Sequence, residues 1–158
     1  MLVKGITYED FVNYKKPSMF IAFPYCTFKC EAESGVACCQ NSSLAKAPEI
    51  EIDLSEIVHD YIHNPITKAV VCGGLEPFMT WVALFGLVRY LRECDCEDDI
   101  VIYTGYTEKE IAPYIDILKQ YDNIIVKFGR YIPGDTEHYD EVLGVNLASS
   151  NQYAKRIS

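Results

Sequence analysis

Short apolar runs alternate along this chain with stretches of helical spacing. Met19-Phe20-Ile21-Ala22-Phe23 is an unbroken apolar run closed by Pro24, the pattern of a buried strand. Leu54, Ile57, Val58, Tyr61 and Ile62 then fall on one helical face, with Asp53 at the N-cap position, Glu56 three residues on, and Asn64-Pro65 as the stop. Ala69-Val70-Val71-Cys72 predicts a strand buried on both faces and ended by Gly73-Gly74. Pro77 suits the first turn of a second helix, whose stripe is Trp81, Leu84, Phe85, Val88 and Leu91. Ile100-Val101-Ile102-Tyr103 is a third strand, ending at Thr104-Gly105. Thr107 and Glu110 form a capping box before Ile111, Tyr114, Ile115 and Leu118, where Pro113 kinks the helix or delays its start. Asn123-Ile124-Ile125-Val126 begins a fourth strand running toward Phe128-Gly129. A polar, turn-rich segment from Pro133 to Asp140 separates it from Val142 to Leu147, and the tail adds one short strand.

Strands alternating with helices imply parallel βαβ units with right-handed crossovers, so the fold class is α/β. Four or five units are too few for a complete eight-stranded barrel. The expectation is a partial, open β/α barrel of mainly parallel strands with outer helices, and a doubly wound sheet is the competitor. A chain of 158 residues suits a single domain over 1–158, and no internal repeat or low-complexity segment divides it. In either architecture ligands gather at the carboxyl ends of the strands. Cys26, Gly73-Gly74, Thr104-Gly105 and Gly129 all fall at such ends and are predicted to converge on one site.

Composition narrows the chemistry. With 14 Lys+Arg against 23 Asp+Glu, the net charge of −9 disfavours a polyanion-binding surface, so nucleic acid is not an expected partner. The apolar stretch Trp81 to Val88 is far short of the roughly 20 residues that cross a bilayer. Met1 to Phe11 lacks a basic segment leading into an apolar one. No membrane span or signal peptide is expected, and the expected location is cytoplasmic. Seven cysteines are then the unusual feature, because a reducing compartment disfavours disulfides and an odd number cannot pair fully within one chain. Metal or redox chemistry is the leading explanation.

The cysteines concentrate in an expanded loop over residues 25–48. Its spacing is Cys26-x3-Cys30, then eight intervening residues to Cys39 or seven to Cys38. Three thiolates close in space hold three irons of a cubane cluster and leave the fourth iron open to a small ligand. A four-thiolate zinc site on Cys26, Cys30, Cys38 and Cys39 is the rival, although adjacent cysteines rarely aim both sulfurs at one ion. Other candidates read as structural. His59 and His63 lie opposite the apolar face of their helix, and Cys94 and Cys96 are expected to be unengaged thiols. Cys72 reads as a small buried residue, and Trp81 and Phe85 as core.

Taken in order, Cys26-x3-Cys30, Cys39-Gln40-Asn41, Gly73-Gly74-Leu75-Glu76-Pro77, Tyr103-Thr104-Gly105-Tyr106 and Ser149-Ser150-Asn151-Gln152 resemble the radical S-adenosylmethionine proteins. The nearest resemblance is to the activating proteins of anaerobic ribonucleoside-triphosphate reductase, from about Met19 to Ser158. It implies a [4Fe-4S] cluster on Cys26, Cys30 and Cys39, with Cys38 as the alternative third ligand. The open iron would chelate S-adenosylmethionine, and one electron would cleave the sulfonium to methionine and a 5′-deoxyadenosyl radical. The implied partners are a large glycyl-radical enzyme, of the anaerobic ribonucleotide reductase kind, and an electron donor. Gly73 and Gly74 would let the ligand approach the backbone, Glu76 would accept hydrogen bonds from the methionyl ammonium, and Thr104 and Gly105 would meet the nucleoside. Asn151 and Gln152 would order the edge of the adenosine site. The chain departs from the family pattern in the long cysteine loop, in the extra Leu75, and in Phe128-Gly129 where the family has Asp-Gly. Competing functions are radical modification of a peptide or small metabolite, and a non-catalytic module in which metal only fastens the loop.

Overall fold

A computed structural model describes the whole chain, Met1–Ser158. In chain order its elements are strands β1 (Leu2–Val3), β2 (Gly5–Asp10) and β3 (Ser18–Phe23), and helices α1 (Lys29–Ser34) and α2 (Ser42–Lys46). There follow β4 (Ile50–Glu51), α3 (Leu54–His63), β5 (Ala69–Gly74), and a 3-10 turn (Pro77–Thr80) that runs into α4 (Trp81–Glu93). The chain ends with β6 (Asp99–Tyr103), α5 (Ala112–Leu118), β7 (Ile124–Phe128), β8 (His138–Asp140), β9 (Val145–Leu147) and β10 (Tyr153–Arg156).

One six-stranded sheet in the order β10-β7-β6-β5-β3-β2 organises these elements. The neighbours β3, β5, β6 and β7 pair in parallel, while β2 and β10 run antiparallel at the two edges. The sheet is open: the fold is mixed α/β around a sheet core, with no closed barrel. Because the parallel strands follow one another without reversal, right-handed crossovers put every covering helix on the same face. There Ile57, Val58 and Tyr61 of α3, Leu84, Leu87, Val88 and Leu91 of α4, and Ile115 and Leu118 of α5 pack on Ile21, Phe23, Val70, Cys72, Ile100, Ile102 and Val126. The four α4 residues are at most 1% exposed. Burying each contributes about 1.5–3 kcal/mol, so packing rather than propensity holds this helix.

The opposite face alternates with the first along every strand. Ala69, Val71, Val101 and Ile125 meet Tyr14, Leu143 and Leu147 there, so loops and the β8–β9 hairpin cover it. Asn13, Asn146 and Leu147 of that cover also line the candidate site at the carboxyl ends of the parallel strands. Pro113 delays α5 rather than kinking it: the helix starts at Ala112, and Glu110 serves instead a separate turn at Thr107. Asp53 occupies the N-cap of α3 but makes no side-chain capping bond. The expected single tail strand is β10, but β8 also forms, inside the segment read as turns. No helix is long and apolar enough to cross a membrane.

Candidate metal centre

The three cysteines reach one place by three local devices. Cys26 lies three residues past the end of β3, after Pro24-Tyr25, and the Phe28 N–H donates to its Sγ at 3.3 Å. To make that bond Phe28 takes a left-handed conformation, φ 53° and ψ 37°, which is costly for a side chain of this size. The resulting sharp turn starts α1 and places Cys30 next to Cys26. Gly35, at φ 73°, ends α1, and the chain folds back until the Cys39 N–H donates to Glu31 Oε1 at 2.9 Å. Asn41 then fastens the loop to the sheet by donating from Nδ2 to the Gly74 carbonyl at 2.5 Å.

Cys26, Cys30 and Cys39 consequently line one cavity of about 340 Å³ at the carboxyl ends of the parallel strands, and Cys38 does not. The Cys38 sulfur is 3.4 Å from Ser34 Oγ and, though not in the cavity wall, stands near enough to Cys30 to act on its thiol. Burial pushes the Cys30 thiol up to about 11, and the charges of Cys38, Cys39 and Cys26 add to the effect. The Cys26 thiol is raised by burial as well, partly offset by the Phe28 N–H and reinforced by Glu76, Cys39 and Glu31. These thiolates repel one another in a half-buried pocket, a cost that a cationic iron core removes. No three Cys, His, Asp or Glu side chains are gathered closely enough to grip a single ion. A cubane spreads its thiolates over three irons and so takes a wider set than one ion does. The donor set, three soft sulfurs on one concave wall, fits such a cluster.

Gly73 and Gly74 line the cavity, and each is also fixed by packing. A Cβ on Gly73 would stand 2.9 Å from Phe20 Cε2, and one on Gly74, at φ 81°, would stand 2.9 Å from Ala22 Cα. The extra Leu75 continues along β3: its N–H donates to the Phe23 carbonyl, and the Glu76 N–H donates to that of Tyr25. Glu76 thereby turns inward and is 5% exposed. Its carboxylate accepts from the Phe78 N–H, from Thr104 Oγ1 at 2.8 and 2.9 Å, and from the Gly105 N–H at 2.9 Å. Burial raises its pKa above the usual carboxylate range, and those donors pull it part of the way back. Glu76 and Thr104 lie in the cavity wall, but they spend their hydrogen bonds on each other, clamping the end of β5 to the end of β6. Gly105 lines the cavity beside them.

Gln152 also lines the cavity, accepting from the Ala148 N–H and donating to the Gly129 carbonyl. Asn151 stands outside it and donates to the Arg130 carbonyl. Gly129, at φ 99°, lets these segments approach; a Cβ there would come 2.8 Å from the Asn151 carbonyl oxygen. Lys127, Arg130 and the rings of Tyr103 and Tyr106 also line the cavity, and the strand-end motifs do not single them out as cavity residues. For Lys127 the signal was present: a lone charge inside the apolar run Ile124–Phe128 of a strand buried on both faces. His59 and His63 are exposed, as expected, and stacked at 4.1 Å, and Cys72 is fully buried; Cys94 and Cys96 make no disulfide. Trp81 and Phe85, expected as core, are only half-buried: they stack on each other at 5.3 Å in an aromatic cluster with Phe78 and Tyr114 outside the packed face of α4.

This arrangement defines an iron–sulfur protein. Residues 17–153 match the family model described as a 4Fe-4S single cluster domain, and the chain belongs to that family. Comparison with curated proteins and with solved structures found no match.

Proposed function

We propose that Cys26, Cys30 and Cys39 hold the [4Fe-4S] cluster, and that the chain is a radical S-adenosylmethionine enzyme that generates a glycyl radical on a large partner of the anaerobic ribonucleotide reductase kind. The observation that carries this reading is the shared cavity: three cysteine sulfurs face the same space as the glycine-edged ends of β5 and β6. The unreversed order β3-β5-β6-β7 agrees with the partial barrel of the proteins the sequence resembles. Cys26, Cys30 and Cys39 would hold three irons of such a cluster, and the group when bound would supply the chemistry of one-electron cleavage of a sulfonium to methionine and a 5′-deoxyadenosyl radical.

The chain's own residues do the rest by position. Gly73, Gly74 and Gly105 leave backbone bare for a flat ligand, and the Glu76–Thr104 clamp keeps the two strand ends at a fixed separation. Gln152 holds the far wall against Gly129. The Phe28 N–H directed at the Cys26 sulfur stabilises negative charge there, one of the means by which a protein tunes a cluster's potential. The cysteine loop is largely exposed, and it is the side on which an electron donor and the glycine-bearing partner would dock.

Anaerobic reconstitution with iron and sulfide, followed by reduction in the presence of S-adenosylmethionine, tests the reading. One cluster per chain and release of 5′-deoxyadenosine are expected, and a glycyl radical signal is expected when the reductase is added. A cluster without 5′-deoxyadenosine would reduce the protein to a metal-fastened module. Cleavage without a radical on the reductase would redirect it to another substrate.

A further inference from the structure

The cysteine loop carries one thiol more than the cluster reading uses, and that thiol is Cys38. Its sulfur lies 3.4 Å from Ser34 Oγ. Ser34 follows Cys30 by four residues in α1, so the two share a helix face with their Cβ atoms about 5–6 Å apart. The stretch bearing Cys38 is a small loop closed at both ends on Glu31: the Gly35 N–H donates to its carbonyl at 2.9 Å, and the Cys39 N–H to its Oε1 at 2.9 Å. Between these fixed points Val36 and Ala37 are exposed, and a Cβ on Gly35 would meet nothing. Ser34 Oγ holds the stretch, through the Val36 backbone and the Cys38 sulfur. Apolar packing does not oppose a turn of Cys38 toward the cavity that its neighbour Cys39 already lines.

We propose that Cys38 is a reserve ligand of the metal centre, whose thiolate closes the fourth iron position whenever no small ligand holds it. The inference rests on the cluster assigned to Cys26, Cys30 and Cys39, and not on S-adenosylmethionine cleavage. A single ion would require both neighbouring sulfurs to aim at one point, which adjacent cysteines rarely do. A cubane offers each thiolate its own iron, so Cys38 and Cys39 can serve adjacent corners. Cys39 comes first, because it pins the loop at the cavity wall and gives Cys38 a fixed approach; without that anchor Cys38 does not replace it. As its sulfur binds, Cys38 gives its proton to solvent, and on release it takes one back, with no change in the oxidation state of the iron. Thiolate is a soft ligand suited to such irons, and Cys38 thereby shields the one iron that oxidants otherwise reach.

The test reconstitutes the full chain anaerobically with iron and sulfide, beside Cys38→Ala, and then adds ferricyanide. Iron per chain and the electron paramagnetic resonance of a three-iron cluster are recorded. The wild type is expected to keep its iron, and Cys38→Ala to lose about one iron in four and show the three-iron signal. Iodoacetamide labelling, located by fragment mass, is a second measurement that needs no variant. Cys38 is expected to be labelled in the iron-free protein and protected in the loaded one. Added S-adenosylmethionine is expected to uncover Cys38 while Cys26, Cys30 and Cys39 stay protected. Protection of Cys38 that S-adenosylmethionine does not lift leaves the reserve ligand in place and counts against the cosubstrate reading. Equal iron loss from wild type and Cys38→Ala, or Cys38 labelled as fast in loaded as in iron-free protein, overturns the reserve ligand and leaves the cosubstrate reading standing. A chain that assembles no cluster overturns both.

Discussion

Cys38 and Cys39 are neighbours with opposite surroundings, and one hydrogen bond separates them. The Cys39 N–H is held by Glu31 and Cys39 lines the cavity, while Cys38 stands beside Ser34 and does not line it. Cys39→Ala is therefore expected to lose the cluster and Cys38→Ala to keep it, measured as iron per chain after anaerobic reconstitution. Iron retained in Cys39→Ala and lost in Cys38→Ala would exchange their roles. Gly74 makes a second case, since its positive φ and its approach to the Ala22 backbone both exclude a side chain. Gly74→Ala is expected to cost about 1–3 kcal/mol in urea unfolding, and a neutral result would mean that β5 can shift away from β3.

Among the elements, α1 is the one that nothing apolar holds. It has six residues, none buried, too short to be stable alone. Ion pairs anchor it: Lys29 reaches Glu110 at 3.1 Å, Glu33 reaches Arg130 at 3.2 Å, and Arg130 pairs with Glu110, while the Tyr106 ring lies near both Lys29 and Arg130. Arg130 is the leading cause that brings the Glu110 carboxyl down to about 2, from an ordinary 4.5. A depressed carboxyl contributes above its ordinary value, and its contribution fades as pH falls from about 4.5 toward about 2. Hydrogen exchange in residues 27–48 is thus expected to rise across that window, and Arg130→Gln to show the raised exchange already at neutral pH. The global loss in that variant should be no more than about 1 kcal/mol, because the cluster of charges is partly solvated. Unchanged exchange in Arg130→Gln would mean that Glu31 and Asn41 hold the loop without it. The same contrast explains what the sequence discloses. The strands β3, β5, β6 and β7 are legible because burial on both faces leaves them as apolar runs, and α3 and α4 because one face is buried. By comparison β2, with the sequence Gly-Ile-Thr-Tyr-Glu-Asp and an edge position, carries too little apolar pattern to read, and α1 and α2 carry none. The cysteines and glycines of the site are legible as chemistry at strand ends. That Glu76 turns to Thr104, and that Lys127 faces the cavity, depend on a turn geometry and a strand register that spacing does not encode.

At the scale of the whole molecule the sheet is gripped at both ends, by the Glu76–Thr104 clamp where the strands finish and by Asp99 where β6 begins. Asp99 is 4% exposed and receives three side chains from two parts of the chain: Tyr14 Oη at 2.9 Å and Lys16 Nζ at 2.5 Å from the β2–β3 connection, and Arg156 at 2.7 Å from β10. It thereby ties the antiparallel edge strand β10 and the loop that covers the open face to the central parallel strands. Burial alone would raise the Asp99 carboxyl, but the bonds from Lys16, Arg156 and Tyr14 outweigh it and hold the group below the usual aspartate range. The sign of the consequence follows. A carboxyl whose folded value is depressed stabilises the fold at pH above its unfolded value, near 3.8, and that stability drains away as pH falls below it. The cations are roughly half exposed and regain water when released, so the loss on removing the charge falls below that of a fully buried pair. Asp99→Asn is expected to lower stability by about 2–3 kcal/mol at pH 7. The gap from the unaltered protein should be narrower at pH 3 than at pH 7 in urea unfolding, because the contribution falls once pH drops below about 3.8. A gap of equal size at both pH values would show that Asp99 acts through shape and neutral hydrogen bonds, and that the edges of the sheet are not held by its charge.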